Sequence, residues 1–259
     1  MSAWLFDLGN TRLKCAPLRA DGRPGAAVAL SHREEDVAAA LAQALPERID
    51  VAYLASVASP SLRLAVLEAL TARCARIAIA RTQPCLGEVR IAYADPRKLG
   101  VDRFLALLGT RARGEGAALV CGVGTALTVD LIDADGRHLG GRIAPSPTLM
   151  REALHARASQ LPETGGDYVD FASDTEDALA SGCDGAALAL IECSLAAARQ
   201  RLGGPPRLLL HGGGADAMHP HLAEAALAPN LVLDGLAIWA AVERVATDPA
   251  GAAAAGTTA

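Results

Sequence analysis

Hydrophobic and polar positions along the chain fall into two stretches of short β-type segments interspersed with helical ones. Ala3 to Phe6 is a short apolar strand, Gly9-Asn10 is turn chemistry, and Arg12-Leu13-Lys14-Cys15 alternates polar and apolar with the period of a strand. A turn at Ala20 to Gly25 follows. Glu34 to Leu45 reads as a helix with Val37, Leu41 and Leu45 at four-residue spacing. Val51 to Val57 is a strand. Ser61 to Cys74 is a helix capped by Ser59 or Ser61, and Ile77 to Ala80 is a further strand. Lys98 to Arg113 is helical, with Phe104, Leu105 and Leu108 as its apolar positions.

The pattern then restarts. Ala118 to Val123 is a strongly apolar strand, Gly124-Thr125 turns it, and Leu127 to Ile132 returns. Asp135-Gly136 predicts a hairpin into His138 to Ile143. Helices are expected over Thr148 to Ala158 and Glu176 to Arg201, the second capped by Ser173 or Asp174. Arg207 to Leu210 is a strand ending in Gly212-Gly213-Gly214. The tail from Pro249 has nothing to bury and is expected to be disordered. Trp4 to Thr11 and Leu119 to Thr125 share one design: apolar strand, glycine turn, threonine, strand. The repeat suggests two lobes of similar build facing a cleft, over residues 1–114 and 115–248, with the tail from 249 to 259.

Composition narrows the chemistry. The 259 residues are 51% hydrophobic and 20% charged, enough for packed cores, while the net charge of −5 argues against a nucleic-acid partner. The six cysteines show no CxxC spacing, so they read as reduced and mostly buried thiols of a cytoplasmic protein. Met1 to Phe6 lacks a basic leader, and the longest uncharged run, Gly116 to Val129, is too short to span a bilayer; no membrane partner is expected. All positive side chains but Lys14 and Lys98 are arginine. His219-Pro220-His221 reads as a loop rather than a metal pair.

The glycine turns are the candidate chemistry. Gly9 and Gly124 let backbone N–H groups approach an anion, and Asn10, Thr11 and Thr125 add neutral donors. The segment Asp7, Leu8, Gly9, Asn10, Thr11, Arg12, Leu13, Lys14 therefore reads as a phosphate loop, with Lys14 as a point charge. Gly212, Gly213 and Gly214 form a third turn for the nucleotide. Asp7 repels a phosphate and makes sense as a holder of hydrated Mg²⁺; Asp130 is a further candidate metal ligand. There is neither a GxxxxGK[ST] nor a dinucleotide-binding glycine pattern. Asp102 is a candidate base for an alcohol acceptor, and Arg103 a partner for an anionic group.

These motifs in this order resemble the type III pantothenate kinases of the acetate and sugar kinase/Hsp70/actin superfamily. The resemblance rests on Asp7 to Thr11 with Lys14, Tyr93 through Leu99 to Arg103, Gly124 to Asp130, Gly140 to Ile143, Leu161-Pro162, Asp174-Thr175, Ser181-Gly182, Gly212 to Gly214 and Asp234 to Ala237. It implies an α/β fold of duplicated ribonuclease H-like, actin-like ATPase lobes with a central cleft. It also implies ATP-dependent phosphorylation of pantothenate, the first step of coenzyme A synthesis, with Mg²⁺, a monovalent cation (K⁺ or NH₄⁺) and a homodimer. Asp102 would be the base; Tyr93, Gly100, Val101, Asp102, Arg103 and Ser159 would surround pantothenate. Three positions depart from the family pattern: Gly122 replaces an acid, Ser146 follows Pro145 in place of glycine, and Ala158-Ser159 replaces a threonine. The alternative is a catalytically weak nucleotide-binding regulator on the same fold.

Overall fold

A computed structural model describes residues 2–31 and 37–247. Glu34, expected to open a helix, and the tail from Pro249 lie outside the described residues. The chain divides into two compact units.

The first unit opens with β1 (Ala3–Leu8), β2 (Arg12–Leu18) and β3 (Val28–Ser31), an antiparallel meander. Next come α1 (Val37–Ala44), β4 (Ile49–Ser56), α2 (Pro60–Thr71) and β5 (Cys74–Ile79). The strands order as β3-β2-β1-β4-β5, with β4 and β5 parallel to β1. Ser59 caps α2 by accepting from the Leu62 N–H, as Ser-Pro at a helix start predicts. Leu5 and Phe6 are successive and both fully buried, so both faces of this sheet are covered. On one face Phe6, Leu8, Leu13, Leu54, Val66 and Leu70 form the core. On the other, Tyr53 meets Trp239 edge-on at 6.4 Å.

A two-residue ribbon, β6 (Cys85–Leu86) with β7 (Val89–Arg90), leads toward α3 (Val101–Ala112). The helix expected from Lys98 is in fact broken: Pro96–Lys98 is a 3-10 turn, Leu99 and Gly100 are extended, and α3 starts at Val101. Thr82 Oγ1 donates to the Leu99 carbonyl at 2.8 Å and fixes the break.

The second unit repeats the plan. Its elements are β8 (Ala118–Val123), β9 (Ala126–Ile132), β10 (His138–Pro145), α4 (Pro147–Arg157), α5 (Thr175–Leu202), β11 (Arg207–His211), α6 (Ala215–Met218) and β12 (Ala225–Leu227). The sheet order β10-β9-β8-β11-β12 matches the first strand for strand. Asp174 caps α5, and Gly203 ends it in the left-handed conformation at φ +70. By length and composition α5 alone among the described helices is apolar enough to cross a membrane. Its Leu179, Ala187, Leu188, Ile191 and Ala198 pack into the core instead, and Asp184, Glu192 and Arg199 interrupt it.

One boundary differs from the sequence expectation. The chain from Asn230, with α7 (Leu231–Thr247), belongs to the first unit rather than the second. Residues 90–92 belong to the second unit. Helix α7 packs on α3 through two glycines. A Cβ at Gly109 would overlap the Leu231 carbonyl oxygen, and one at Gly235 would overlap that of Leu105. The cysteines are all free, but only Cys15, Cys121 and Cys183 are buried; Cys85 and Cys193 are exposed.

Candidate active site

In the first unit the register of β1 and β2 sets the site. Asp7 pairs with Lys14 and Leu8 with Leu13, leaving Gly9, Asn10 and Thr11 as the turn. The Gly9 N–H bonds the Arg12 carbonyl at 3.1 Å, and a Cβ at Gly9 would stand 3.3 Å from that oxygen. The turn is therefore tight enough to favour glycine. Leu8 and Leu13, expected along the phosphate loop, are fully buried in the core, so only their backbone remains for a ligand. Asn10 and Arg12 are exposed, and Asp7, Thr11 and Lys14 are partly buried.

Asp102 sits in the first turn of α3. Its carboxylate folds back over Gly100, where a Cβ would lie 2.5 Å from Oδ1. Any side chain at Gly100 would thus displace the candidate base. Arg103 is buried; its Nη1 donates to the Tyr93 hydroxyl at 3.4 Å, and its guanidinium lies 5.9 Å from the centre of that ring. Val101 precedes this pair on α3.

Asp7 is the electrostatic centre of this group. Its carboxyl is pushed up to about 7: burial is the largest cause, the Asp102 charge acts in the same direction, and the Lys14 charge opposes both. An acid with a raised folded value holds its proton longer in the folded than in the unfolded chain. Its contribution to stability is therefore fully present below pH about 4 and lost as pH climbs to about 7. The cation-free protein should lose melting temperature between pH 5 and pH 8 more steeply than Asp7→Asn does. Parallel slopes in thermal melts of the two proteins would contradict this.

In the second unit the Gly124 N–H bonds the Ala126 carbonyl at 2.9 Å, closing the second glycine turn. The Gly214 N–H bonds the Val123 carbonyl at 2.9 Å, so the second and third turns form one continuous surface. Gly212 has φ +96, and a Cβ there would overlap the Val123 carbonyl oxygen. Gly213 lies between these two fixed glycines.

The sequence reading missed Ser146 as a positive contributor. Ser146 is buried at the start of α4, where its Oγ accepts from the Leu149 N–H at 3.2 Å and donates to the Thr125 carbonyl at 3.0 Å. It is both helix cap and tether for the second turn. The signal was present as Ser-Pro before a helix. Ser146→Ala should cost about 1–2 kcal/mol in urea unfolding; an unchanged midpoint would contradict the tether.

Asp130, expected as a further metal ligand, is buried, and its Oδ1 lies 3.0 Å from His138 Nε2. Ser159 is exposed and belongs to the second unit, whereas Tyr93 to Arg103 belong to the first. His219 to His221 forms a 3-10 turn in which His219 Nε2 lies 3.0 Å from the Ala225 carbonyl. Among the described residues no three His, Cys, Asp or Glu side chains form a metal cluster. An Mg²⁺ ion would thus draw most of its oxygen shell from phosphates and water, with Asp7 as the acidic partner.

Comparison with known proteins identifies the family. The family description for type III pantothenate kinases matches residues 4–197. A type III pantothenate kinase of Xylella fastidiosa (strain M23) is 59% identical over 242 residues, 93% of this chain and 98% of that protein. Its counterpart in Xanthomonas euvesicatoria pv. vesicatoria is 58% identical over 240 residues, with the same coverage. Among solved structures, a Baf-family protein from Campylobacter jejuni aligns with a TM-score of 0.58 at 19% identity, covering 95% of this chain and 98% of that one. A Sinorhizobium meliloti protein described as a 2-dehydro-3-deoxygalactonokinase aligns at 0.55 and 16%, covering 94% and 99%. Both speak to the fold, the duplicated actin-like ATPase architecture. The chain belongs to the type III pantothenate kinase family.

Proposed function

We propose that this protein transfers the γ-phosphoryl group of ATP to the primary hydroxyl of pantothenate, giving 4'-phosphopantothenate for coenzyme A synthesis. The carrying observation is the family match together with Asp7, Lys14 and Asp102 gathered in the first unit. Phosphoryl transfer asks a protein mainly to position and to neutralise charge. The Gly9 to Thr11 turn and Lys14 receive the phosphates of the nucleotide, and Gly124, Thr125 and Gly212 to Gly214 are further proposed nucleotide contacts. Mg²⁺ neutralises developing charge on the phosphates when bound, and it favours the ionised form of Asp7. Asp102 accepts the hydroxyl proton as transfer proceeds. Arg103, oriented by Tyr93, pairs with the pantothenate carboxylate; Gly100 leaves room for the Asp102 carboxylate, and Val101 contributes a wall. Ser159 is a further proposed hydroxyl partner of pantothenate.

The remaining reading covers setting and assembly. The free cysteines agree with a cytoplasmic setting. A homodimer accounts for the apolar surface of the second unit. There Leu149, Met150, Leu154, Ala178, Leu179 and Cys183 line a groove of about 760 Å³, and Phe171 is 98% exposed. A monovalent cation, K⁺ or NH₄⁺, completes the expected set. The assembled Asp7, Lys14 and Asp102 favour an enzyme over a weakly active regulator.

Coupled ADP release with pantothenate, in K⁺, NH₄⁺ and Na⁺ buffers, tests the reaction. Pantothenate-dependent turnover is expected, and its absence in all three buffers would overturn the reading. Sedimentation analysis tests the dimer.

A further inference from the structure

His211 is a residue for which the sequence suggested no task. It ends β11, which runs parallel to β8, and its register partner is Gly122. Both strands point their carboxyl ends at the second and third glycine turns, the side on which α/β sheets hold ligands. Gly122 has no side chain for a physical reason. A Cβ there would stand 2.9 Å from His211 Nε2, 3.0 Å from His211 Cε1 and 2.7 Å from Thr128 Oγ1. The imidazole edge and the Thr128 hydroxyl therefore converge on one point over the strand end, in the volume a side chain would fill.

Three further observations bear on what meets them there. His211 is only partly buried. It directly precedes Gly212, whose φ of +96 and close approach to Val123 fix where β11 ends. And no Lys or Arg occurs from Gly122 to Thr128 or from His211 to Asp216. A polyphosphate lying against these turns would meet backbone N–H groups, threonine hydroxyls and one imidazole.

We infer that His211 is a nucleotide contact of the second unit, donating an imidazole N–H to the phosphate chain with Thr128 beside it. This rests on the nucleotide half of the preceding reading. Gly122 then serves to make room for the ring, and the two residues act as a matched pair. The ring nitrogens suit the role because at least one carries a proton in either charge state.

Two measurements test this. In calorimetric titration, His211→Leu should bind ADP about tenfold or more weakly than wild type, while KM for pantothenate stays within about twofold. His211→Gln, which keeps a donor, should recover most of the loss. The second measurement uses the unaltered enzyme. The His211 ring resonances, assigned by their loss in His211→Gln, should shift on saturation with ADP. A wild-type protein that binds ADP without moving that resonance, or a folded His211→Leu that binds ADP normally, would overturn the inference. A wild-type protein that binds no ADP would instead overturn the nucleotide reading itself.

Discussion

Replacing Asp102 by Asn should lower kcat by about a hundredfold or more while the protein stays folded. The side chain lies in the first turn of α3, above a glycine that leaves space for its carboxylate. Two other effects of the change are small. Loss of a negative charge at a helix N-terminus costs under about 1 kcal/mol. Loss of a like charge beside Asp7 works in the opposite direction, since Asp102 is one cause of the raised Asp7 value. The variant should therefore melt near wild type, and KM for ATP should change little. Losses in kcat and kcat/KM should be equal, the sign of an interaction made only in the transition state. The pH dependence adds an independent readout: without Asp102, Asp7 should ionise at lower pH. Near-normal turnover in Asp102→Asn would move the base elsewhere.

Gly235→Ala should be the most destabilising single-atom change in the first unit. The added methyl would overlap the Leu105 carbonyl oxygen, which is backbone within a helix and has no rotamer to give. Leu105, Leu107 and Phe104 around it are fully buried or nearly so, and α3 is buried from Arg103 to Thr110. Relief requires the two helices to separate, opening space along the whole contact. A cost of about 3 kcal/mol or more is expected, at the upper end of overpacking penalties. That corresponds to a fall of about 6–12 °C in Tm. Gly109→Ala should behave alike, because it meets Leu231 in the same interface. A Tm within about 2 °C of wild type for Gly235→Ala would contradict the packing.

The strands were legible because their signals are local. Ala118 to Val123 is an uninterrupted apolar run bounded by Gly116 and Gly124, and it appears as β8 with the expected limits. The repeat of strand, glycine turn and strand was enough to anticipate two sheets of one design. The place of Asp102 near a helix start was legible as well, and it lies in the first turn of α3. Helix α7 was not read, because Leu231 to Val245 is apolar on almost every side and shows no clean helical stripe. Its attachment to the first unit depends on glycines that are distant in sequence. Tertiary pairing hid the rest: nothing near Asp130 in sequence shows that His138 will engage it, and nothing near Gly122 shows that His211 fills its side-chain space.

The discontinuous first unit has a consequence for synthesis. On a ribosome the chain delivers β1 to α3, then nearly all of the second unit, and only afterwards α7. The buried face of α3 thus waits, uncovered, while the second unit is made and can already close on itself. The half that carries Asp7 and Asp102 is finished last, and a chain released early at Pro229 would leave α3, the helix of Asp102, without its cover.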